Sequence, residues 1–424
     1  MRKRLLYLST PVVVACASCS VAACAPADRP AETAKASTAV SSVPMPSVTH
    51  PTFEDDVAVL SRWSQVTVLA SDSGGRVAIS PALGGRVMTS AVAPLATGLG
   101  WINRPFLEAG KRGTQFDNYG GEDRFWLGPE GGQFGLYFPP GSSFTFASWQ
   151  TPRALNEGAW DVAQSSDKSV VLTRALHVVN HSGTEFDVAA ERTVTILSRS
   201  ELVSALGVEL PPSVQTVAFE TKNRITNAGH DAWTKDRGAL SVWILGMYAP
   251  SPDAHVVVPF ETSGQGEIVN DRYFGKVPPE RLSVHAREGF LAFTCDGALR
   301  SKIGLRPGRA RSPIASYSAS ARLLTLVQYE RPSNATDYVS SMWEIQKDPY
   351  SGDIVNAYND GPTEPGKPSL GGFYEMESSS PAALLAPGSS LVHTHRTIHI
   401  VGQPADLEPV ARRLLGIGLG DFSK

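Results

Sequence analysis

Hydrophobic and polar residues alternate along most of the chain in short runs, which are separated by turns rich in Gly and Pro. A period of two residues places successive side chains on opposite faces of a β-strand, so each run predicts a strand. No helix-length pattern interrupts the runs between residues 170 and 223. The predicted strands cover residues 65–70, 76–80, 85–91, 170–180, 185–197, 202–210, 214–223, 240–247, 290–294, 323–329, 373–377 and 391–400.

Helical spacing of apolar residues occurs near the two ends of the body. Phe53 and Val57 predict a short helix before the first strand, and Leu407 and Val410 predict an amphipathic helix near the C-terminus. Long antiparallel strands joined by short turns predict an all-β sandwich of large sheets with short peripheral helices. Neither an internal repeat nor a second linker is evident, which favours one domain over residues 53–424.

Two acidic residues share one face of a predicted strand near the C-terminus. Alternation places Phe373, Glu375 and Glu377 on one face, with Tyr374 and Met376 on the other. Burying two carboxylates without partners is costly, so this face is either solvated or part of a polar site.

A second informative segment, residues 116–132, combines aromatic, acidic and glycine residues. Its irregular composition predicts a loop rather than a strand interior, and such loops often carry function. Asp123, Arg124, Trp126 and Glu130 offer the aromatic faces and hydrogen-bonding groups that a sugar site requires. The segment lacks the Lys-Ser/Thr of a phosphate-binding loop. The alternative is an ordered loop packed by its own aromatic residues.

The C-terminal region resembles the galactose mutarotase (aldose 1-epimerase) superfamily. The resemblance is carried by Tyr374-Glu375-Met376, by the turn Leu385-Ala386-Pro387-Gly388 and by the polar-alternating strand over residues 392–400. The sequence of residues 343–362 resembles a bacterial lipoprotein branch of that superfamily, and it is WEIQKDPYSGDIVNAYNDGP. The resemblance implies a mutarotase-like β-supersandwich, a carbohydrate ligand and Glu375 as general base.

The sequence departs from the superfamily pattern at both expected histidines. Glu130-Gly131-Gly132 stands where members carry a His-Gly-Gly with a substrate-binding histidine. Thr226-Asn227-Ala228 stands where members carry Thr-Asn-His, whose histidine is the general acid, and His230 follows two residues later. Either His230 takes the role of the acid from a shifted backbone, or the acid is absent.

Two functional hypotheses follow from the resemblance and its departures. The first is a carbohydrate-binding protein without catalysis, and the second is an aldose 1-epimerase with Glu375 as base and His230 as acid. Neither requires a cofactor. The candidate saccharide-binding side chains are Asp123, Arg124, Trp126, Glu130, Asn227, Asn359, Asp360 and Glu377.

Two other enzyme-like interpretations are weaker. His393 and His395 share a strand face and could chelate zinc with Glu375 or Glu377, but His399 lies too far along the strand to complete a compact site, so no metal is expected. A polysaccharide lyase or glycoside hydrolase would need a Tyr, His and Asn set that the sequence does not offer. The basic residues of segment 302–311 are typical of a solvated face, although one of them could pair with a substrate carboxylate.

The N-terminus reads as an export signal. Arg2 to Arg4 form a positive region, an apolar stretch follows over residues 5–23, and Val21-Ala22-Ala23-Cys24 resembles a bacterial lipobox. We expect a signal peptide over residues 1–23, lipid modification of Cys24 and a Pro-, Ala-, Ser- and Thr-rich disordered tether over residues 24–52. Cys16 is a weaker candidate, and an ordinary signal peptide cut near Ala23 is the alternative. Lipidation would place the domain outside the cytoplasm, on the periplasmic side or the cell surface.

Composition excludes some partners. The 38 Lys and Arg nearly balance the 41 Asp and Glu, for a formal net charge of −3, and no basic stripe is evident. Nucleic acid is therefore not expected as a partner. Cys295 lies alone in an apolar strand, where a buried thiol is more typical than a reactive one.

Overall fold

Antiparallel β-sheets form most of the folded body. The computed structural model describes residues 51–424, and all pairings between its named strands are antiparallel. The strands are, in chain order, β1 (Thr67–Ala70), β2 (Arg76–Ser80), β3 (Arg86–Ala91), β4 (Arg124–Gly128), β5 (Asp161–Ser165), β6 (Ser169–Val179), β7 (Glu185–Ile196), β8 (Gln215–Asn227), β9 (Ser241–Tyr248), β10 (His255–Pro259), β11 (Leu282–His285), β12 (Phe290–Thr294), β13 (Ser301–Leu305), β14 (Ile314–Ser318), β15 (Leu323–Tyr329), β16 (Val355–Asn359), β17 (Tyr374–Ser379) and β18 (Ser390–Val401).

Short helices accompany the sheets. They are α1 (Phe53–Ser61), α2 (Arg104–Ala109), α3 (Arg153–Asn156), α4 (Arg199–Leu206) and α5 (Pro404–Leu415), with 3₁₀-helices at Pro279–Arg281 and Leu419–Asp421.

The strands form three sheets. A ten-stranded sheet has the order β11-β12-β10-β14-β15-β18-β8-β7-β6-β5, and a five-stranded sheet has the order β13-β16-β17-β9-β4. Strands β1, β2 and β3 form a small third sheet. The predicted all-β architecture of large antiparallel sheets with short peripheral helices is confirmed.

Two apolar clusters hold residues of both larger sheets. In the first, Leu172 and Phe219 of the ten-stranded sheet pack in one cluster with Leu127 of the five-stranded sheet. In the second, Phe293 of the ten-stranded sheet belongs with Met376 of the five-stranded sheet. Burial of such side chains contributes about 1.5–3 kcal/mol each, which is the main force that holds the sheets together.

Helices α4 and α5 share a separate apolar cluster with the ten-stranded sheet. Leu202 of α4 and Leu407 of α5 belong to this cluster together with Leu324 and Ile398. Leu324 pairs with Ile400 and Leu326 with Ile398, so these four apolar side chains share one face of the ten-stranded sheet, and the two helices cover it.

A buried polar layer lies among the apolar clusters. Its side chains form hydrogen bonds that join the ten-stranded sheet either to the five-stranded sheet or to the segment that precedes β4. They are Glu122, Asp123, Arg192, Thr221, Ser378, His393, His395 and His399. The predicted common face of His393, His395 and His399 is confirmed, because all three point into this layer. Buried polar groups persist only when they are paired, so the layer fixes the register of β18 against its surroundings.

Three predictions about individual elements were wrong. Residues 202–210 were expected to form a strand, but Leu202 to Leu206 lie in α4. Ser198 and Glu201 form a reciprocal capping box, and Gly207 ends the helix at φ 64°. These local start and stop signals outweigh the apolar alternation.

The other two corrections concern segment boundaries. Segment 116–132 contains strand β4, whose residues pair with β9, and is not a loop throughout. Thr52 was assigned to the tether, but its side chain caps α1 and its backbone bridges Thr97.

Residues 1–50, including the predicted signal peptide, Cys24 and most of the tether, lie outside the described residues. Among residues 51–424, no helix is long and apolar enough to span a membrane.

The buried histidines predict acid sensitivity. His393 Nε2 and His395 Nδ1 each lie 2.8 Å from the Ser378 hydroxyl oxygen, and burial lowers the pKa of each histidine to about 3. The unfolded chain takes up these protons near the ordinary pKa of about 6.5. Below that pH the unfolded state binds more protons than the folded state, so stability falls as the pH falls, by about 1.4 kcal/mol per pH unit for each histidine.

We expect His393→Gln to reduce this pH dependence. Urea unfolding between pH 6.5 and 4.5 should give a shallower loss of stability for the variant than for the native protein. His230→Gln is the matched control, because His230 is exposed. Parallel pH profiles for His393→Gln and the native protein would show that His393 does not stay neutral in the folded state.

Candidate functional site

Charged and aromatic side chains cluster on one face of the five-stranded sheet. The register places Tyr358 opposite both Lys302 and Glu375, and it places Leu245 opposite both Arg124 and Glu377. Because strand side chains alternate between faces, these residues share one face, while Met376 and its neighbours supply the apolar core. The predicted common face of Glu375 and Glu377 is confirmed.

A cavity opens above this face. It has about 480 Å³ of space unoccupied by protein atoms, part of it open to solvent. The lining residues come from all five strands or from adjoining segments, and they are Phe116, Arg124, Trp126, Glu130, Phe146, Trp149, Trp243, Leu245, Phe274, Arg300, Lys302, Tyr358, Leu370, Phe373 and Glu375.

Arg124 and Glu375 form a buried ion pair on the cavity floor. An Arg124 terminal nitrogen donates to Glu375 Oε1, and the two side chains are 3% and 7% exposed. The guanidinium carbon also lies 4.5 Å from the centre of the Trp126 ring. Both charged groups are therefore held in place before any ligand arrives.

A second buried ion pair joins Lys302 to Glu377. Lys302 Nζ donates to Glu377 Oε2 over 2.8 Å, and the Trp243 indole nitrogen donates to the same oxygen over 2.8 Å. Burial lowers the pKa of Lys302, but the combined attraction of Glu377, Glu130 and Glu375, with the hydrogen bond to Glu377, outweighs burial and raises the pKa overall. Glu377 itself does not line the cavity and supports the floor through Lys302 and Trp243. The expectation of a solvated basic face was wrong for Lys302, which is 4% exposed.

Glu130 reaches the cavity from the segment after β4. It accepts a hydrogen bond of 2.9 Å from the Trp149 indole nitrogen, and burial raises its pKa. Phe146 stacks on Trp149, with ring centres 6.2 Å apart and an angle of 9° between the planes. This carboxylate therefore lies beside an aromatic wall.

Glu375 also has a displaced acidity. Burial raises its pKa to about 8, the attraction of Arg124 opposes the rise, and the negative charge of Glu377 adds to it. A carboxyl group with such a pKa exchanges protons near neutral pH, as general acids and bases do.

The cavity lining is aromatic and charged, without imidazole. No histidine is among its lining residues. Within residues 51–424 no three His, Cys, Asp or Glu side chains come close enough together to hold a metal ion. His393 and His395 instead share Ser378, inside the sandwich.

Arg124, Trp126, Glu130 and Glu375 are the sequence-predicted site residues that the fold brings together at the cavity. Asp123, the neighbour of Arg124, points the opposite way into the polar layer. There its carboxylate accepts hydrogen bonds from Arg192 and Thr221, and it is fully buried.

Two more predicted ligands stabilise loops. Asn359 accepts a 2.9 Å hydrogen bond from the Gly297 amide and donates over 2.9 Å to the Leu299 carbonyl. Asp360 accepts hydrogen bonds from the backbone amides of residues 371 and 372 over 3.0 and 2.8 Å. Neither side chain lines the cavity.

Asn227 and His230 lie together at a different depression. It is lined also by Asp187 and Trp233, and it shares no lining residue with the cavity of Glu375. The Asn227 amide donates to the backbone carbonyls of residues 231 and 385. The structure therefore does not bring His230 to Glu375.

Sequence reasoning missed several cavity residues. Trp149 and Phe274 occupy segments without a distinctive pattern. Lys302 alternates with Arg300 and Arg306 along the chain, a pattern typical of a solvated basic face that concealed its buried partner.

The buried Lys302–Glu377 pair predicts a large penalty for removing one partner. Lys302→Met should lower the free energy of unfolding by about 3–5 kcal/mol, because Glu377 would stay buried without its counter-ion. Lys302→Met combined with Glu377→Gln should recover most of this loss. Urea unfolding followed by circular dichroism measures both. Lys222→Met is the control, since Lys222 forms a solvent-exposed ion pair with Glu220: its side chain is 61% exposed and its Nζ lies 3.6 Å from Glu220 Oε1. Equal effects of Lys302→Met and Lys222→Met would contradict the prediction.

Several solved structures resemble this chain. A candidate aldose 1-epimerase from Escherichia coli K12 aligns with 79% of this chain and 98% of its own, at 12% identity and a TM-score of 0.49. A galactose mutarotase related enzyme from Lactobacillus acidophilus aligns with 80% and 98%, at 9% identity and 0.45. A galactose mutarotase-like protein from Lactobacillus casei aligns with 79% and 100%, at 10% identity and 0.42.

No curated protein matches the chain. A family model described as "Family of unknown function (DUF6786)" matches residues 51–424. Because this match spans well over half of the chain, the protein belongs to the DUF6786 family.

Proposed function

We propose that the cavity on the five-stranded sheet binds a saccharide and that the protein is a carbohydrate-binding protein. The observation that carries this proposal is the composition of the lining, in which eight of the fifteen residues are aromatic and five are charged. Aromatic faces pack against the C–H surfaces of sugars, and fixed charged groups hydrogen-bond to hydroxyls.

Preorganisation supports binding in this cavity. Arg124, Lys302 and Glu130 are each held by a protein partner, and none needs to be ordered by the ligand. A site whose polar groups are already fixed loses less conformational entropy on binding. Hydrogen bonds to charged groups contribute about 1.5–3 kcal/mol each, so a few of them suffice for specific recognition.

Binding without rapid anomer interconversion is the version that the lining supports best. Interconversion needs one group to remove the C1 hydroxyl proton and another to protonate the ring oxygen. Glu375 suits the first role, but His230 lines another depression and no histidine lines this one.

An aldose 1-epimerase is the second candidate, and the raised pKa of Glu375 favours it. A carboxyl group that titrates near pH 8 can accept and return a proton at physiological pH. Glu130, whose pKa burial also raises, would then be the nearest candidate for the acid.

The binding prediction is tested at the aromatic wall. We expect saturation-transfer NMR of residues 51–424 to detect at least one sugar from a panel of neutral and acidic aldoses and their oligomers. Phe146→Ala should weaken that binding about fivefold, because it removes about 1 kcal/mol of aromatic contact. Phe144→Ala is the matched control, since Phe144 belongs to the same segment but packs on Phe138 and His181 instead. Absence of binding across the panel, or equal effects of both variants, would contradict the proposal.

The same samples decide between binding and catalysis. Exchange between α and β anomers should proceed at the spontaneous rate in the presence of the protein. Accelerated exchange that disappears in Glu375→Gln would instead establish the epimerase.

We also propose that the domain is anchored outside the cytoplasm through a lipid on Cys24, as the signal and lipobox pattern predicts. Metabolic labelling of the full-length chain with a palmitate analogue in a bacterial host should modify the native protein. Cys24→Ser should abolish the label, and Cys16→Ser should retain it. Label that depends on Cys16, or no label at all, would overturn the assignment of Cys24.

A further inference from the structure

Arg300 differs from the other two cationic residues of the cavity. Arg124 is paired with Glu375 and Lys302 with Glu377. Among the described residues, no carboxylate oxygen lies within the 4.0 Å of an ion pair with Arg300. The third positive charge of the cavity therefore has no counter-ion in this part of the chain.

Aromatic rings hold the Arg300 guanidinium in place. Its central carbon lies 3.8 Å from the ring centre of Phe274, 5.1 Å from that of Phe146 and 5.4 Å from that of Trp343. Contacts of this kind contribute about 0.5–2 kcal/mol and restrict a side chain that would otherwise be free. The rings fix the orientation of the group without neutralising its charge.

The donor groups of Arg300 remain available. The Nε atom donates a long hydrogen bond of 3.4 Å to the Tyr358 hydroxyl, and this is the one hydrogen bond of the side chain among residues 51–424. The two terminal nitrogens have no hydrogen-bond partner in the described residues. Neither is buried, so both reach solvent at the cavity. Two parallel N–H groups in a fixed plane match the geometry of a carboxylate, sulfate or phosphate.

The charge of the whole lining agrees with this geometry. Because Arg124 pairs with Glu375 and Lys302 with Glu377, Arg300 and Glu130 are the two charged lining residues outside these ion pairs. Burial raises the pKa of Glu130, which increases its protonated fraction and leaves the charge of Arg300 less compensated. A neutral sugar would leave the Arg300 charge without a partner, whereas an anionic ligand would neutralise it.

We propose that the ligand of the cavity is an acidic saccharide, whose carboxylate, sulfate or phosphate group is bound by the terminal N–H groups of Arg300. This inference rests on the proposed function, since it names the class of saccharide for the same cavity. The sugar ring would pack on the aromatic wall, and Phe146 would contact both Arg300 and the ligand.

Matched sugar pairs test the inference. Calorimetry at pH 7 and low salt would compare galactose, glucose and mannose with their uronic acids and with their 6-sulfates and 6-phosphates. We expect at least one acidic member to bind ten times or more as tightly as its neutral partner, and its binding to weaken as salt is raised. The three acidic series identify which anionic group Arg300 prefers.

Variants locate the preference. Arg300→Gln should reduce the ratio of acidic to neutral affinity to within about twofold while leaving neutral binding in place, and Arg300→Lys should retain part of the ratio. Arg413→Gln, which removes one exposed positive charge from α5, should leave the ratio unchanged. Equal thermal stability of the variants shows that they are folded.

The outcomes separate the two proposals. Neutral and acidic sugars that bind equally, or a preference that survives Arg300→Gln, would overturn the role of Arg300 while the carbohydrate function stands. Absence of binding by every sugar of both kinds would overturn the function and this inference together.

Discussion

Two buried ion pairs set the chemistry of this protein. Arg124–Glu375 and Lys302–Glu377 lie side by side on one face of the five-stranded sheet, and every one of the four side chains is at most 7% exposed. Charges at such a depth are tolerated only when they are paired, so strands β4, β13 and β17 must keep the register that joins them. The cavity floor and the sheet therefore stabilise each other.

The two faces of the five-stranded sheet have different surroundings. Its inner face joins the ten-stranded sheet through the apolar clusters and the polar layer that contains the buried histidines. Its outer face carries the ion pairs, and segments around Phe146 and Phe274 supply the aromatic walls. Arg300 stands out in this arrangement, because aromatic rings hold it yet it has no ion-pair partner among the described residues.

Local patterns predicted most strands, and they predicted that Glu375 and Glu377 share a face. Sequence alone could not identify their partners, because Arg124 is 251 positions from Glu375 and such pairs depend on strand order. Alternation also concealed α4, whose capping residues were the better signal. Asp360 was predicted to bind the ligand because it is a carboxylate in a polar-aromatic segment. A carboxylate in a loop often accepts hydrogen bonds from backbone amides instead, and Asp360 does so here.

The most direct measurement follows the tryptophan indole N–H signals of the ¹⁵N-labelled domain during titration with a saccharide. Trp149 and Trp243 donate to the carboxylates at and beneath the cavity, whereas Trp233 lines the separate depression that contains His230. A saccharide in the cavity should shift the first two signals and leave that of Trp233 in place. A shift of Trp233 alone, or no shift at a saturating sugar concentration, would contradict the assignment of the cavity as the saccharide site.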